Sequence, residues 1–251
     1  MRKKIYFITD AHLGSKVFEN PIAHEQKLVR WLDQVKADAE SIFMLGDMFD
    51  FWFEYKCTVP KGFNRFLGKM AELIDSGIPI HFFTGNHDLW TFGYLEKEIG
   101  LTIHRKPEVM NLKGKRFFLA HGDGLNDNSL GFRFIRSIFH NKICQWLFSN
   151  LFPSTLGLKF GYAWSESNRK RHLRENIGYL GEEKETLVLF AKKHTLENPD
   201  IDFYLFGHRH ILLHLMLNRN TQMAILGDFI TEFSFASFDG ETFETHFFEK
   251  E

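Results

Sequence analysis

The sequence predicts an α/β protein with a mostly parallel sheet covered by helices. Over the first 105 residues, short apolar segments alternate with longer amphipathic ones in the order strand, helix, strand, helix, strand. Wholly apolar segments are typical of strands buried on both faces, and this alternation is typical of parallel sheets. The clearest strand is Ile42-Phe43-Met44-Leu45, which stops at Gly46 and is followed by a single carboxylate, Asp47.

The helices and strands of the first half follow from hydrophobic period and turn residues. The first helix begins at Pro21, and the second ends before Gly77 and Pro79. Predicted strands lie at 4–9, 41–46, 79–84 and 101–105, and predicted helices lie at 21–38, 63–75 and 91–99. Strands 108–113 and 115–120 are predicted to form a hairpin that turns at Lys113-Gly114.

The second half combines helices with further strands. A helix is predicted over 130–152, and a helix at 182–194 returns the chain to the sheet. The remaining strands are predicted, with alternating and antiparallel character, at 203–207, 214–218, 222–227, 232–238 and 242–248.

Composition and cysteine content indicate a cytosolic globular protein. The chain has 251 residues, of which 44% are hydrophobic and 25% charged, enough to bury a sizeable core. Cys57 and Cys144 are isolated, which favours a reducing compartment over a disulfide framework. The basic first residues precede an apolar run too short for a signal peptide, and no run is long enough to span a membrane.

Residues 130–174 differ in charge from the rest of the chain. They contain eight Lys or Arg and one acid, Glu166, so they carry +7 and the rest of a chain of net charge −1 carries −8. They also contain nine aromatic residues. A helical insertion with a packed face and a solvated basic face would explain most such segments. Here apolar positions cover more of the 130–152 helix than one packing face requires, which indicates an anionic, lipid-like or nucleic-acid partner.

Side chains able to bind metal ions follow five of the apolar strands. They are Asp10 and His12, then Asp47, then Asn86, His87 and Asp88, then His121, and finally His208 and His210. Ligand sites in α/β proteins lie where strands end at their carboxyl termini. Any one of these histidines could be an ordinary core residue, but the repetition at five strand ends predicts one metal site with Asp47 at its centre.

The donor types restrict the metal and its chemistry. Carboxylate, imidazole and amide donors suit Mn²⁺, Fe²⁺ or Zn²⁺, and the lack of cysteine at these turns excludes a thiolate zinc site. The candidate ligands are too many for one tetrahedral ion. Two ions about 3.5–4 Å apart, bridged by one carboxylate, would use them, activate a water and bind the oxygens of a phosphorus centre.

Five motifs resemble, in order and spacing, those of the calcineurin-like metallophosphoesterases: Asp10-x-His12, Gly46-Asp47, Gly85-Asn86-His87-Asp88, His121 and Gly207-His208-x-His210. The resemblance implies a single domain over 1–251, with a four-layer α/β/β/α sandwich and a helical cap insertion at about 130–195. It also implies two divalent ions, with Mn²⁺ preferred over Fe²⁺ or Zn²⁺. One ion is assigned to Asp10, His12, Asp47 and His210, and the other to Asp47, Asn86, His121 and His208.

The same resemblance gives roles to the residues around the ions. It implies that His87 faces the phosphate, where it stabilises charge or protonates the leaving oxygen, and that Asp88 orients His87. Asn86 and His87 are also expected to contact the substrate.

A narrower resemblance suggests the substrate. The segments Gly46–Trp52 and Ala120–Leu125, with a basic insertion of this size, are similar to the UDP-2,3-diacylglucosamine pyrophosphatases of lipid A biosynthesis. That family implies a cap that shelters two acyl chains and an enzyme peripheral on the inner face of the cytoplasmic membrane. Residues expected to contact the head group are Ser165, Asn168, Arg169 and Arg171. Members of that family often carry Arg where this chain has His87.

The sequence therefore predicts a di-metal hydrolase of a nucleotide-activated glycolipid. Water would attack the α-phosphorus of UDP-2,3-diacylglucosamine and give UMP and 2,3-diacylglucosamine 1-phosphate. One alternative is a phosphatase or phosphodiesterase of a soluble nucleotide or phosphoprotein. A nuclease is less favoured, because the basic segment is as aromatic as it is charged, and no nucleic-acid partner is expected. A metal-free scaffold is disfavoured because every ligand position is filled.

Overall fold

Two β-sheets form the centre of the computed structural model, which describes residues 3–126, 131, 137–139, 141–175 and 178–249, with the side chains of 167–175 excepted. The strands of the amino-terminal half are β1 (Lys4–Ile8), β2 (Ala39–Met44), β3 (Ile80–Phe83), β4 (Thr102–His104), β5 (Glu108–Leu112) and β6 (Lys115–Leu119). The later strands are β7 (Phe203–Phe206), β8 (Leu212–Met216), β9 (Gln222–Leu226), β10 (Ser234–Phe238) and β11 (Phe243–Phe247).

Each sheet combines parallel strands with antiparallel ones. The first sheet has the order β11-β10-β1-β2-β3-β4, in which β1 to β4 pair in parallel and β10 and β11 pair antiparallel. The second has the order β5-β6-β7-β9-β8, in which β6, β7 and β9 are parallel. The carboxyl ends of β1, β2, β3, β6 and β7 are the strand ends that carry the candidate ligands.

The helices are α1 (Pro21–Val35), α2 (Asn64–Asp75), α3 (Lys142–Leu151), α4 (Ser154–Glu175) and α5 (Thr186–Glu197), with a short π-helix at Leu95–Ile99. Asn20 caps α1 by accepting the Ala23 N–H at 3.0 Å. Helix α2 is capped from outside, since the Glu25 carboxylate of α1 accepts the backbone N–H of Arg65 at 2.9 Å and of Phe66 at 3.1 Å. This side chain satisfies amides that a helix start leaves unbonded.

The layers are helix, sheet, sheet and helix, which confirms the predicted α/β/β/α sandwich. Alternate residues of β1 illustrate this, because Tyr6 and Ile8 pack towards α1 and α2 while Phe7 points between the sheets. Between the sheets, the Phe7 ring lies 5.7 Å from that of Phe117, centroid to centroid. On the far side, α5 packs on the second sheet through Leu187, Val188 and Ala191. Helix α5 is therefore a core layer.

Two expectations about the second half are wrong. Strands 203–207 and 222–227 were expected to be antiparallel, but β7 pairs in parallel with both β6 and β9. The chain crosses from β7 to the outer strand β8 before it returns as β9. The predicted 130–152 helix is also not continuous, because Asn141 is extended and its side chain accepts the N–H groups of Ile143 and Cys144, which starts a new helix.

Helices α3 and α4, here called the cap, lie on the loops that follow β2 and β3. Phe148 of α3 packs against Phe53 and Trp90, with ring centroids 5.2 Å away from each. Gly161 of α4 meets the Phe51 ring so closely that an added Cβ would overlap it. Glycine is therefore required where α4 contacts the β2 loop. Within the described part of the chain, no helix is both long and apolar enough to cross a membrane.

Candidate metal centre

The loops after five strands converge between the two sheets. The His12 N–H donates to the Asp47 carbonyl at 2.9 Å, and the Gly207 N–H donates to the His121 carbonyl at 2.9 Å. These backbone bonds hold each ligand-bearing loop against its neighbour. Both sheets therefore contribute side chains to one site, as the sequence pattern predicts.

Imidazole and carboxylate atoms gather there in three overlapping groups. They are Asp10, His12 and His210, then His12, Asp47 and His87, and then Asp47, His121 and His208, with the donor atoms of each group within 4.8 Å of one another. The His121 Nε2 lies 3.2 Å from Asp47 Oδ2, and the His210 Nε2 lies 3.3 Å from Asp10 Oδ1. Asp47 belongs to two groups, which is the position of a bridging carboxylate.

The hydrogen bonding around these atoms fits metal ions. Among the described residues, the buried atoms Asp10 Oδ1 and His121 Nε2 make no hydrogen bond. Their companion atoms do: Asp10 Oδ2 accepts the His208 N–H at 2.8 Å, and His121 Nδ1 donates to the Leu45 carbonyl at 2.8 Å. Buried polar atoms are nearly always bonded, and a histidine that binds metal usually donates through its other nitrogen. The residues present therefore fit divalent ions.

Electrostatics keep Asp47 and His208 in the form that binds metal. Burial acts to raise the pKa of Asp47, but His121 and His87 beside it hold that pKa well below its usual value. Burial, with His121 nearby, lowers the pKa of His208 to about 4. Burial also opposes protonation of His121, yet Asp47 raises the pKa of His121 well above its usual value. A metal ion would have to displace that proton.

The backbone of the site is strained. Five predicted ligands have left-handed conformations, with φ of 51° at Asp10, 44° at His12, 53° at Asp47, 68° at His208 and 51° at His210. Each such conformation costs about 1–3 kcal/mol and is characteristic of functional sites. Gly85 lies so close to the Asp47 carboxylate that an added Cβ would overlap it. The packing of the two sheets therefore holds these loops in a conformation that they would not adopt alone.

Asp228 is a residue of the site that the sequence analysis missed. Its Oδ2 lies 3.3 Å from His210 Nδ1, and its Oδ1 accepts the Thr231 N–H at 2.7 Å. This carboxylate orients the His210 ring so that Nε2 faces Asp10. A signal was present, because Ile225-Leu226-Gly227-Asp228 repeats the apolar strand, glycine and aspartate of Met44-Leu45-Gly46-Asp47.

His87 lies at the site, but Asp88 does not orient it as expected. His87 Nε2 is 4.0 Å from Asp47 Oδ2, and Nδ1 donates to the Asp50 carbonyl at 2.7 Å. The fully buried Asp88 instead accepts the Gly85 N–H at 2.7 Å and the Met48 N–H at 2.8 Å. Asp88 thus joins the loops after β2 and β3. Burial and the nearby Asp47 charge raise the pKa of Asp88 to about 7.

The other predicted substrate contacts have different positions. Asn86 is exposed at the end of the β3 strand, beside His87. Ser165 is only 1% exposed, and its hydroxyl donates inward to Asp50 Oδ2 at 2.8 Å. The side chains of Asn168, Arg169 and Arg171 lie outside the described residues.

Arg209, between two predicted ligands, forms a buried ion pair with Glu185 at the start of α5. Arg209 Nε lies 2.8 Å from Glu185 Oε1 and Nη2 lies 3.2 Å from Oε2, in a two-bonded arrangement. Glu185 is completely buried and the Arg209 side chain is 14% exposed. This ion pair attaches the loop that carries His208 and His210 to the start of α5.

Replacing Arg209 by methionine is expected to lower the free energy of unfolding by about 3–5 kcal/mol, because it leaves the Glu185 carboxylate buried without its partner. Urea denaturation of wild type and variant measures the change. Arg219→Met, at an exposed residue of the β8–β9 turn, is the control. A loss no larger than that of the control would show that the pair contributes nothing to stability.

Comparison with known proteins gives one family. The family model described as calcineurin-like phosphoesterase matches residues 3–212. A UDP-2,3-diacylglucosamine hydrolase from Porphyromonas gingivalis is 42% identical over 253 residues, covering 96% of each chain. Another from Edwardsiella ictaluri is 27% identical over 94% of this chain and 88% of its own. Among solved structures, the phosphoesterase Yfce from E. coli aligns with 98% of this chain and 93% of its own, at 14% identity and a TM-score of 0.46.

Proposed function

This chain belongs to the calcineurin-like phosphoesterase family, and we propose that it hydrolyses the diphosphate of UDP-2,3-diacylglucosamine. Water attack at the α-phosphorus would give UMP and 2,3-diacylglucosamine 1-phosphate. The observation that carries this proposal is the exposed apolar surface of the cap, which is attached directly beside the metal-ligand cluster. The similarity to hydrolases named for this substrate supports it.

The proposed metal sites use the residues that converge between the sheets. On the family resemblance, one ion is assigned to Asp10, His12, Asp47 and His210, and the other to Asp47, Asn86, His121 and His208. All of these residues except Asn86 belong to the clustered groups of imidazole and carboxylate side chains. The oxygen and nitrogen donors suit Mn²⁺, with Fe²⁺ or Zn²⁺ as the other candidates. Two such ions supply an activated water and neutralise charge on the phosphorus oxygens.

His87 is proposed to transfer a proton in the reaction. A carbonyl oxygen can only accept, so the contact with Asp50 requires the proton of neutral His87 to sit on Nδ1. Burial lowers the pKa of His87, which favours this neutral form. The unprotonated Nε2 then faces the site near Asp47. Neutral His87 would therefore accept at Nε2 a proton from the attacking water and donate it to the leaving oxygen.

The cap has two sets of aromatic side chains. Phe148 and Tyr162 face the β2 loop and attach the cap to the body of the protein. Trp146, Phe152 and Phe160 are instead 60%, 47% and 54% exposed. Each buried CH₂ group of an acyl chain contributes about 0.8 kcal/mol, so such a surface suits a lipid tail. The exposed set is therefore proposed to contact the acyl chains.

The same surface supports a location at the inner face of the cytoplasmic membrane. The segment 130–174 carries +7 from eight basic residues and one acid, and it also carries the exposed aromatic side chains. Apolar side chains together with bases bind the surface of an anionic bilayer. Peripheral attachment there would bring the cap to its lipid substrate.

Truncating Trp146 or Phe152 to alanine tests the lipid assignment. The loss of contact with about two CH₂ groups is expected to lower kcat/KM for UDP-2,3-diacylglucosamine by roughly 10-fold. Turnover of a small chromogenic phosphodiester should change little, because that substrate has no acyl chain. Both substrates are assayed with wild type and each variant.

Leu196→Ala is the matched control, since Leu196 is 82% exposed but lies on α5, outside the cap. Equal losses on the two substrates would contradict the lipid assignment. A wild-type preference for the small diester or for single-stranded nucleic acid would contradict it too, and either result leaves a phosphoesterase of another substrate.

A further inference from the structure

Asp50 and Ser165 connect the cap to the body of the protein beside the metal centre. Ser165 belongs to α4, and Asp50 lies in the loop after β2, three residues beyond Asp47. The Ser165 hydroxyl donates to Asp50 Oδ2 at 2.8 Å, and the two residues are only 1% and 3% exposed. A charge-assisted hydrogen bond sheltered from water in this way is a strong one.

Asp50 also contacts two histidines of the site. Its Oδ1 lies 3.6 Å from His12 Nδ1, on the side of that ring opposite the Nε2 that faces Asp10 and Asp47. Its backbone carbonyl accepts the His87 Nδ1–H at 2.7 Å. Asp50 therefore contacts the rings of both His12 and His87 and can orient both.

Ser165 makes a second contact, with His87 itself. The Ser165 Oγ lies 3.2 Å from His87 Nδ1. Because the single hydroxyl proton is donated to Asp50, the Ser165 oxygen is left to accept from the His87 Nδ1–H. The proton on Nδ1 is thus shared by the Asp50 carbonyl and the cap serine, and both contacts direct Nε2 into the site.

The packing of α4 holds Ser165 in this place. One turn earlier in the helix, Gly161 presses on the Phe51 ring, next in sequence to Asp50. Tyr162 packs on the same ring at 5.9 Å between centroids. Ser165 therefore remains in contact with Asp50 as long as α4 remains packed on Phe51.

We propose that Asp50 and Ser165 are positioning residues for His87, so that the orientation of the His87 ring depends on the packing of α4 against the loop after β2. Asp50 also orients the His12 ring. The proposal deepens the proposed function and rests on it. It gives Ser165 a different role from the head-group contact that the resemblance implies. Partners that orient a metal-site histidine typically contribute about 10–100-fold to activity or metal affinity.

Ser165→Ala separates the two roles. As a positioning residue, Ser165 acts through His87, so the variant should lose about 10–100-fold in kcat on the lipid substrate and on the small phosphodiester alike. As a head-group contact, it would raise KM for the lipid and leave the diester unchanged, which would overturn the proposal. Ser149→Ala is the control, because that cap hydroxyl donates to Trp146 within its own helix.

A measurement without turnover keeps the test independent of the substrate assignment. The ¹⁵N NMR shifts of His87 in the metal-free protein report which ring nitrogen carries the proton. Ser165→Ala is expected to change these shifts in a protein that remains folded by thermal melting, and unchanged shifts would overturn the proposal. If the lipid is not the substrate, the diester and NMR results still stand.

Asp50→Asn tests the link to His12. The Mn²⁺ dissociation constant, measured by electron paramagnetic resonance, is expected to rise about 10–100-fold because the carboxylate beside His12 Nδ1 is lost. Ser165→Ala should change Mn²⁺ affinity less than Asp50→Asn does, since it leaves the Asp50 carboxylate in place and its hydroxyl bonds to Oδ2, whereas Oδ1 is the oxygen near His12. Wild-type affinity in Asp50→Asn would contradict the role of Asp50.

Discussion

Replacing Asp47 by alanine is expected to remove both proposed metal ions and all measurable hydrolysis. The Asp47 Oδ2 lies 3.2 Å from His121 Nε2 and 3.7 Å from His12 Nε2, and these histidines belong to different ligand groups. Without this carboxylate, both ligand groups lose the negative charge that they share. The remaining histidines then have no anionic partner at that position to help them hold a cation. Elemental analysis of metal per chain and an assay of phosphodiester hydrolysis measure the two effects.

Asp47→Asn is a necessary companion variant. Asn tolerates the left-handed backbone of this residue, whose φ is 53°, so it separates loss of charge from loss of conformation. Asp75→Ala, at the exposed end of α2, is the control for aspartate replacement in general. Retention of two ions per chain, or of activity, in Asp47→Ala would refute a bridging role.

Replacing His87 by alanine is expected to lower kcat by roughly 10²–10⁴-fold while the metal content stays unchanged, as for loss of a residue that transfers protons. The reason is that the protonated Nδ1 is held by Asp50 and Ser165, which leaves Nε2 open towards the site. Steady-state kinetics on the phosphodiester and metal analysis are made on the same preparation.

The position of His87 also allows it to be a metal ligand, and the same experiment distinguishes the two roles. The donor atoms of His87, His12 and Asp47 also lie within 4.8 Å of one another, so His87 has the position of a possible ligand. Loss of one ion in His87→Ala would make it a ligand and remove the proposed proton transfer. His214→Ala is the control, because the exposed His214 lies on β8 and bonds to Gln222 of the neighbouring strand β9.

The sequence alone determined the strands, the two long helices of the first half and most of the imidazole and carboxylate side chains that cluster at the site. Apolar segments indicate buried strands, and a polar residue directly after such a segment indicates where the strand ends. Asp47 and His121 could therefore be identified without knowing which sheet each strand joins. For the same reason, the Gly227-Asp228 end of β9 could have been found, since it carries the same local pattern.

Only the tertiary structure decided how the strands pair and which side chains orient the ligands. Hydrophobic period does not specify a neighbouring strand, so the parallel placement of β7 between β6 and β9 could not be read from its residues. The bond between Ser165 and Asp50 joins residues 115 positions apart. Whether such a side chain faces substrate or protein depends on how α4 packs on the β2 loop, and that packing is set by contacts distant in sequence, such as Gly161 against Phe51.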